Sequence, residues 1–213
     1  MKASELVLAP DGSLYHIRLT ADTLADRIIL VGDPGRVDMF KGIFEHVDHE
    51  SHNREMHALT GRYGGQRLTV LSTGMGCDNI DIVMTELDAA ANIADGEVRD
   101  AKRHLQIVRI GTCGSLRAEA DCGSVVASRY AVGMDGLMNY YHEWDSPLPG
   151  MDAQFAAHMG FPPRQAAPYC VAGSQRLMAT VGEGMLHGIT ATAPGFYGPQ
   201  GRTIRLHPAL PDL

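Results

Sequence analysis

The sequence predicts a single α/β domain, residues 1–213, with a central mixed β-sheet flanked by helices. Two observations carry this prediction. Short apolar runs that end in glycine-rich turns recur along the chain, and segments with helical spacing of apolar residues lie between them. Alternation of strands and helices is typical of α/β proteins with a largely parallel or mixed sheet. Hydrophobic residues make up 45% of the chain, which is enough to build a core.

The first two strands are predicted from apolar runs. Arg27–Val31 is a short apolar run typical of a buried strand. It is followed by Gly32 and by a turn in which Pro34 suits the first position of a helix. The second run, Leu68–Ser72, is closed by the turn at 73–76. Each of these strands is therefore expected to lead directly into a loop and a helix.

A helix is predicted to begin near Asp78, whose side chain is a suitable N-cap. Its apolar residues fall at i, i+3, i+4, i+7 and i+11, which lie on one face of an α-helix. They are Ile80, Val83, Met84, Leu87 and Ala91.

The second half of the chain repeats the alternation. A third strand, Gln106–Ile110, leads into the turn at 111–115, and a fourth strand begins at 124–127. Later strand candidates are 169–172 and 187–192, with helices over 151–160 and 174–183. The apolar residues that could face inward on these helices are Met151, Phe155 and Met159, and Leu177, Met178 and Val181. The proline-containing end at 206–213 lacks a closing α/β half, and we expect a C-terminally truncated chain.

Composition excludes several classes of protein. The formal net charge is −7, from 18 Lys and Arg against 25 Asp and Glu, whereas nucleic-acid binders are usually basic. No run of about 18 apolar residues occurs, as a membrane span requires, and the first residues lack the apolar segment of a signal peptide. We therefore expect a cytoplasmic protein that contacts neither nucleic acid nor a membrane.

The cysteines and histidines show no metal-binding pattern. There is no Cys-x-x-Cys pair and no His-Glu-x-x-His among them. The spacing predicts that the protein holds no metal and that its thiols are buried in a reducing compartment. The four cysteines are Cys77, Cys113, Cys122 and Cys170.

Three predicted strands end in loops of small residues, at 32–36, 72–76 and 109–114. Ligands of open α/β sheets bind beyond the carboxyl ends of the strands, and glycine allows backbone N–H groups to approach them. Arg36 and Arg109 add bidentate donors suited to phosphate oxygens. The alternatives are a turn that needs glycine for geometry alone and a solvated Arg36. Arg109 lies in an apolar run, where an unpaired guanidinium is costly, so its anionic partner is either a bound phosphate or the carboxylate of Glu86.

Two further groups could bind a ligand. Arg54 is a third candidate donor, or else a solvated charge. Phe196, Gln200 and Arg202 lie close in sequence, and an aromatic ring beside an amide and a guanidinium can stack on a heterocycle and bond its edge. Such a pair fits a pyrimidine carbonyl edge, although a glycine- and proline-rich turn explains the same residues. The glycine pattern at 74–76 matches neither a dinucleotide fingerprint nor a P-loop.

Taken together, these segments resemble the nucleoside phosphorylase family, on its uridine phosphorylase side. The matching segments occur in order from about Tyr15 to Arg205. They are 15–20, 31–37, 51–55, 72–76, 109–114, 135–137 and 188–191, followed by 196–197 and 200–202.

The resemblance implies phosphorolysis, in which a nucleoside and phosphate give a free base and ribose 1-phosphate. By matching position, it implies that Gly32, Arg36, Arg109 and Thr112 form the phosphate site. Arg54 corresponds to a phosphate donor lent by a neighbouring subunit. Family members are hexamers built from dimers, with each site shared across the dimer interface. The partners implied are thus a nucleoside, phosphate and further copies of the chain.

The resemblance also implies how the nucleoside is bound. His16 corresponds to a neighbouring subunit's contact with the ribose 5′-hydroxyl, and Phe196 to the ring that packs near sugar and base. Gln200 and Arg202 correspond to the pair that reads uracil, which favours a pyrimidine. No cofactor is implied beyond inorganic phosphate as co-substrate. A monovalent cation can lie at the dimer interface in such enzymes, but no spacing here assigns one.

The implied mechanism follows from charge. Cleavage of the glycosidic bond leaves a cationic sugar and an electron-rich base. Arg36, Arg54 and Arg109 would hold phosphate against the anomeric carbon, and Gln200 and Arg202 would stabilise negative charge on the uracil oxygen. Arg36, Arg109 and Arg202 are accordingly the predicted catalytic residues of a pentosyltransferase.

One family segment has no counterpart. The family carries a Glu-Met-Glu pattern whose glutamate holds the ribose hydroxyls, and after Arg205 nothing matches it. The only later acid is Asp212. Alternative interpretations are a purine nucleoside phosphorylase, a nucleosidase that uses water, or a non-catalytic binding or assembly subunit. Uridine is not distinguished from deoxyuridine or thymidine.

Overall fold

A computed structural model describes residues 2, 4–142 and 147–211. The chain divides into two compact units, residues 1–113 and 114–213, and each is described by itself. The expectation of a single domain over 1–213 stays a prediction. Asp212, the acid near the chain end, lies outside the described residues.

The first unit contains seven described strands and two α-helices. The strands are β1 (Arg27–Val31), β2 (His46–Asn53), β3 (Met56–Tyr63), β4 (Gln66–Ser72), β5 (Ile93–Ala94), β6 (Glu97–Val98) and β7 (Gln106–Ile110). The helices are α1 (Pro34–Asp38) and α2 (Cys77–Asn92), and a 3-10 helix covers Met39–Gly42. β1 and β7 have the predicted bounds, because each is an apolar run closed by glycine.

Five of these strands form a mixed sheet in the order β2-β3-β4-β1-β7. β1 pairs in parallel with both β4 and β7, whereas β2, β3 and β4 are antiparallel. Successive side chains of a strand point to opposite faces. Leu30 accordingly lies in one core cluster and Val31 in another. The predicted mixed sheet is confirmed.

Helices cover both faces of this sheet. α2 contributes Val83, Leu87 and Ala91 to one core cluster, and α1 contributes Val37 to the other. Met84, predicted on the same face of α2, is instead 41% exposed, so the prediction that it faces the core is wrong.

The start of α2 also differs from the prediction. Its N-cap is Gly76, with φ of 100°, and Asp78 lies in the first turn without capping the helix. Glycine is suited to this position because the backbone is left-handed there. The prediction of Asp78 as the N-cap is therefore wrong.

The sequence did not predict the hairpin of β2 and β3. β2 is rich in His, Asp and Glu and is largely exposed, so it has no apolar run. β3 is buried from Met56 to Gly61, but its apolar residues are interrupted by His57. Pairing with β4 buries β3, and β2 then forms the edge of the sheet.

The second unit contains a three-stranded sheet. Its strands are β8 (Val126–Gly133), β9 (Tyr169–Ala172) and β10 (Leu186–Thr192), in the order β10-β8-β9. Its helices are α3 (Pro149–Met159) and α4 (Gln175–Thr180), with 3-10 helices at Leu137–Tyr140 and Gly198–Gln200. The predicted strands and helices are present. β9 has the predicted bounds, and the bounds of the other elements are shifted by one to three residues. Val181, predicted to face inward, is 49% exposed.

Within the described ranges no helix is both long and apolar enough to cross a membrane. The four cysteines all lie within the described residues, and no disulfide joins them. Cys170 is buried and Cys77 is half-buried, but Cys113 and Cys122 are exposed, because both lie in loops. The expectation of buried thiols is therefore wrong for these two.

Candidate functional site

Three parallel strands of the first unit end at one edge of its sheet. Val31, at the end of β1, pairs with Ser72 of β4 on one side and with Ile110 of β7 on the other. The loops that follow these strands therefore begin side by side. They are the three small-residue loops that the sequence singled out.

Two arginines converge on the loop that follows β1. A Cβ placed on Gly32 would lie 3.7 Å from Nη2 of Arg36 and 3.9 Å from Nη2 of Arg109. The absence of a side chain at Gly32 leaves open the space that both guanidinium groups border. Nη1 of Arg36 also donates to the carbonyl oxygen of Ile110 at 3.3 Å, which fixes this side chain across the edge of the sheet.

The backbone of the first loop is set by its own residues. The Asp33 side chain caps α1 by accepting from the N–H of Gly35 at 2.9 Å. Pro34 occupies the first turn of that helix, where its missing N–H removes no hydrogen bond. α1 carries Arg36, so the cap and the proline position the guanidinium beside Gly32.

The environment of Arg109 differs from the sequence-based expectation. Arg109 is exposed, because β7 is an edge strand and its last residues project beyond the cores. Glu86 is engaged elsewhere, with the His16 segment. The expectation that burial makes an unpaired Arg109 guanidinium costly is therefore wrong. Within the described ranges, neither Arg36 nor Arg109 forms an ion pair with a carboxylate, and two unpaired cations so close together favour an anion between them.

Glu86 anchors the segment that contains His16. This carboxylate is only 9% exposed. It accepts from the backbone N–H groups of His16 at 3.0 Å and of Ile17 at 2.9 Å, and it lies 2.5 Å from Nδ1 of the His16 ring. Because the carboxylate only accepts, the contact places a proton on Nδ1, and in that neutral tautomer Nε2 is the acceptor. Glu86 lies on the buried face of α2, three residues after Val83. An acidic residue at a position that the helical spacing places on the buried face is the sequence feature that could have identified its role.

Arg54 lies at the tip of the β2–β3 hairpin, with a left-handed φ of 55°. The adjacent Asn53 side chain donates to the carbonyl oxygens of Tyr15 at 2.8 Å and His16 at 3.3 Å. The hairpin tip and the His16 segment are thus tied together. These are the two elements that the resemblance assigns to a neighbouring subunit's site.

Gly74 lies between the hairpin tip and the arginine pair. Its carbonyl oxygen is 3.8 Å from the Cβ position of Gly32, and a Cβ on Gly74 itself would come within 2.5 Å of Cγ of Glu55. The backbone N–H of Glu55, which donates to the Glu55 carboxylate, and the Asn79 amide at 2.8 Å hold the pKa of this carboxyl below its usual value, and the charges of Arg54 and His16 add to this. No pattern in the sequence marked Asn79 or Glu55 as a site residue.

The second unit holds the aromatic and amide cluster. Cζ of Arg202 lies 4.2 Å from the centroid of the Phe196 ring, and Nη2 of Arg202 donates to Oε1 of Gln200 at 3.3 Å. Nε2 of Gln200 donates to the carbonyl oxygen of Gly195 at 3.2 Å. The structure thus brings together the three predicted residues, and it leaves one N–H and one lone pair of the Gln200 amide for a ligand.

Thr112 lies in an exposed loop two residues beyond β7. It follows Gly111, where a Cβ would come within 2.5 Å of Nη1 of Arg109. The guanidinium of Arg109 therefore folds over the loop that contains Thr112.

Parallel strands that end beside two convergent arginines place the first unit in the α/β class, with donors suited to an anion at the carboxyl ends of its strands. The sequence matches the phosphorylase superfamily over residues 26–213. The chain therefore belongs to this superfamily, and its relatives place it among the nucleoside phosphorylases.

Three relatives illustrate the likeness. A nucleoside phosphorylase of Trypanosoma brucei, whose structure is described as showing uridine phosphorylase activity, is 30% identical with a TM-score of 0.80, covering 97% of this chain and 75% of its own. A guanosine phosphorylase of Halorubrum lacusprofundi is 29% identical over 139 residues, 65% of this chain and 53% of its own. A uridine phosphorylase of Thermococcus kodakarensis is 27% identical over 137 residues, 64% of this chain and 45% of its own.

This chain spans about half the length of the last two proteins. The likeness therefore establishes the family and the fold, and it includes relatives named for both purine and pyrimidine nucleosides.

Proposed function

We propose that this chain carries the phosphate-binding and base-binding residues of a uridine phosphorylase, which converts uridine and phosphate into uracil and ribose 1-phosphate. The observation that carries the proposal is the pair of guanidinium groups, from Arg36 and Arg109, around the open space at Gly32. A phosphate dianion neutralises both cations and accepts hydrogen bonds from the N–H groups of both guanidinium groups.

Phosphate held there is the nucleophile of the proposed reaction. As the glycosidic bond breaks, the sugar gains positive charge, and an oriented phosphate supplies both a countercharge and proximity. Arg36 and Arg109 act as positioning donors throughout, while Thr112 and Arg54 are proposed as further phosphate contacts. Inorganic phosphate is the co-substrate, and no resident cofactor is proposed for this reaction.

The proposed uracil-reading group is Gln200 with Arg202, beside the Phe196 ring. Uracil presents two carbonyl acceptors and one N–H donor, and an amide with one free N–H and one free lone pair complements such an edge. Arg202 stabilises the negative charge that develops on the base oxygen. The conformation is held by the Gln200 contacts with Gly195 and Arg202.

Self-association is part of the proposal. His16 and Arg54 are tied together through Asn53, and we propose that they complete the site of a neighbouring copy, within a dimer that builds a hexamer. Nε2 of His16 is the atom proposed to accept from the ribose 5′-hydroxyl. We also propose a cytoplasmic location, as expected for nucleoside salvage and breakdown.

The test is uracil release from uridine by the 213-residue chain, with and without phosphate, with separate measurement of ribose 1-phosphate and free ribose. Phosphate-dependent release with ribose 1-phosphate as product supports the proposal. Free ribose, formed without phosphate, would instead identify a nucleosidase. If the folded chain binds phosphate and uracil but releases nothing, it is a binding or assembly subunit.

A purine nucleoside is the second candidate substrate, because a guanosine phosphorylase is among the relatives. Parallel assays with guanosine and uridine decide between them. Replacing Gln200 with alanine is expected to reduce release of uracil selectively, whereas an equal loss on both nucleosides would contradict its role in reading the pyrimidine.

A further inference from the structure

Three side chains in the first unit surround one carboxylate oxygen of Glu50. Nζ of Lys41 lies 2.6 Å from Oε1 of Glu50, Nε2 of His57 lies 2.9 Å from it, and Nε2 of His52 lies 3.1 Å from it. None of these residues takes part in the proposed reaction. A single oxygen that attracts one ammonium and two imidazoles is a strong site for cations.

The β2–β3 hairpin creates this arrangement. His52 of β2 lies directly opposite His57 of β3 in the antiparallel register, and Glu50 precedes His52 by two residues on the same face of the strand. The two imidazole rings are stacked, with centroids 3.5 Å apart. Three side chains with metal-ligating atoms are thereby presented from one face of a rigid hairpin.

The His57 ring has an acceptor beside each of its two nitrogens. The side chain is 1% exposed. Its Nδ1 lies 3.3 Å from the carbonyl oxygen of Pro34, and its Nε2 lies 2.9 Å from Glu50 Oε1. Both neighbours are acceptors, whereas a neutral imidazole carries one N–H. With the proton on Nε2, His57 donates to Glu50; with the proton on Nδ1, the Nε2 lone pair faces Glu50 and is available to a metal ion.

The Pro34 contact fits the metal-bound alternative. Histidines that ligate metals usually donate their other ring N–H to a backbone carbonyl or a carboxylate, which fixes the tautomer and the ring orientation. Nδ1–H donation to the Pro34 carbonyl does this for His57 and leaves the Nε2 lone pair directed at the cluster. Pro34 begins α1, so the cluster adjoins the helix that carries Arg36.

We propose that Glu50, His52 and His57 bind a divalent first-row transition ion such as Zn²⁺. Two imidazoles and one carboxylate are a common ligand set for these ions, with the remaining positions open to water. Bonds of about 2.0–2.1 Å in a tetrahedron place ligand atoms about 3.3 Å apart. The two Nε2-to-Oε1 distances, 2.9 and 3.1 Å, are close to this value, and all the ligand atoms lie within 4.8 Å of one another.

The Lys41 ammonium lies beside Glu50 at the position of a cation. Its Nζ also lies 3.0 Å from Oδ1 of Asp38, so the ammonium keeps a partner when a metal ion displaces it from Glu50. His52 is 58% exposed and can therefore adjust to close the coordination shell. This inference runs against the sequence-based prediction that the protein holds no metal, because Glu50-x-His52 and His57 match no common spacing.

The test is zinc binding by the 213-residue chain, measured by isothermal titration calorimetry, with Co²⁺ absorption as a report of the ligand set. The variants are H52A and E50Q, both at exposed positions, and the matched control is H46A, which removes an exposed histidine from the same strand. Circular dichroism verifies that each variant is folded. His57 is left unchanged because its burial makes misfolding the expected result of its removal.

One Zn²⁺ per chain is expected, with affinity reduced at least about tenfold in H52A and in E50Q but unchanged in H46A. K41M is expected to bind zinc more tightly, because the competing ammonium is removed. Equal affinity in H52A, E50Q and the unmodified chain would overturn the proposal, since the zinc would then lie on other histidines. So would a dissociation constant weaker than about 1 mM for the folded chain.

Discussion

Replacing Glu86 with alanine tests how much the buried carboxylate contributes to the first unit. Glu86 accepts three hydrogen bonds, from the backbone N–H groups of His16 and Ile17 and from the His16 ring. Ile17 is 1% exposed, so water cannot replace the lost acceptor at its N–H. The substitution therefore leaves a buried donor unsatisfied and detaches the segment that contains His16.

The magnitude follows from these contacts. Hydrogen bonds to a charged group contribute about 1.5–3 kcal/mol each. Because the three bonds act on one segment, they do not add fully, and we expect the alanine variant to lose about 3–5 kcal/mol, as when one partner of a buried charged pair is removed. Glu86→Gln keeps an acceptor for the backbone and is expected to lose about 1–2 kcal/mol.

The free energy of unfolding is measured in denaturant, and amide hydrogen exchange is measured at Ile17. Protection of the Ile17 amide should fall by several orders of magnitude in Glu86→Ala, because its acceptor is gone. Glu97→Ala, which removes an exposed acid from a short hairpin, is the matched control and should change neither measurement. If the free energy of unfolding of Glu86→Ala is within about 0.5 kcal/mol of that of the unmodified chain and the Ile17 amide remains protected, the anchoring role of Glu86 is refuted.

Three further predictions concern single residues. Arg109→Ala should weaken phosphate binding at least about tenfold in calorimetry, and unchanged affinity would remove this arginine from the phosphate group. Gly74→Ala should lower the unfolding free energy by about 1–3 kcal/mol, because the φ of 66° at Gly74 and its contact with the hairpin both oppose a Cβ. The control Gly64→Ala lies at a left-handed position in open space and should lower it by about 1 kcal/mol. Equal losses in the two variants would argue against the close approach at Gly74. Burial, with the nearby Asp152 carboxylate, raises the pKa of Cys170 from 9.0 to about 12. Its thiol should therefore resist a thiol reagent at about pH 8 while exposed Cys113 reacts, and equal reaction rates would contradict this. Between pH 9.0 and about 12 the unfolded thiol ionises before the folded one, so the stability that Cys170 contributes is lost as pH rises through that window.

Parts of this fold are encoded locally and could be predicted. β1, β7 and β9 match their predicted bounds because each is a short run of mainly apolar residues. Helix α2 was predicted from its spacing, since burial of one stripe needs apolar residues at that period. The β2–β3 hairpin was not predicted, because β2 derives its structure from pairing with a neighbour rather than from its own apolar residues.

The candidate site divides in the same way. The sequence predicted the loop residues and the group of Phe196, Gln200 and Arg202, which lie close together along the chain and remain close in the structure. It misjudged Arg109, because an apolar run does not reveal whether its strand lies at the centre or at the edge of a sheet.

By itself, the sequence determined the α/β class, the family resemblance and which loops carry glycine and arginine, since these depend on the order of residues along the chain. Only the tertiary structure decided that Arg36 and Arg109 border the same space, that Glu86 anchors His16, and that Glu50, His52 and His57 surround one position. The physical reason is that strand order and register are set by pairing between distant segments. A contact such as the one between His16 and Glu86 joins residues 70 positions apart, and no local pattern records it.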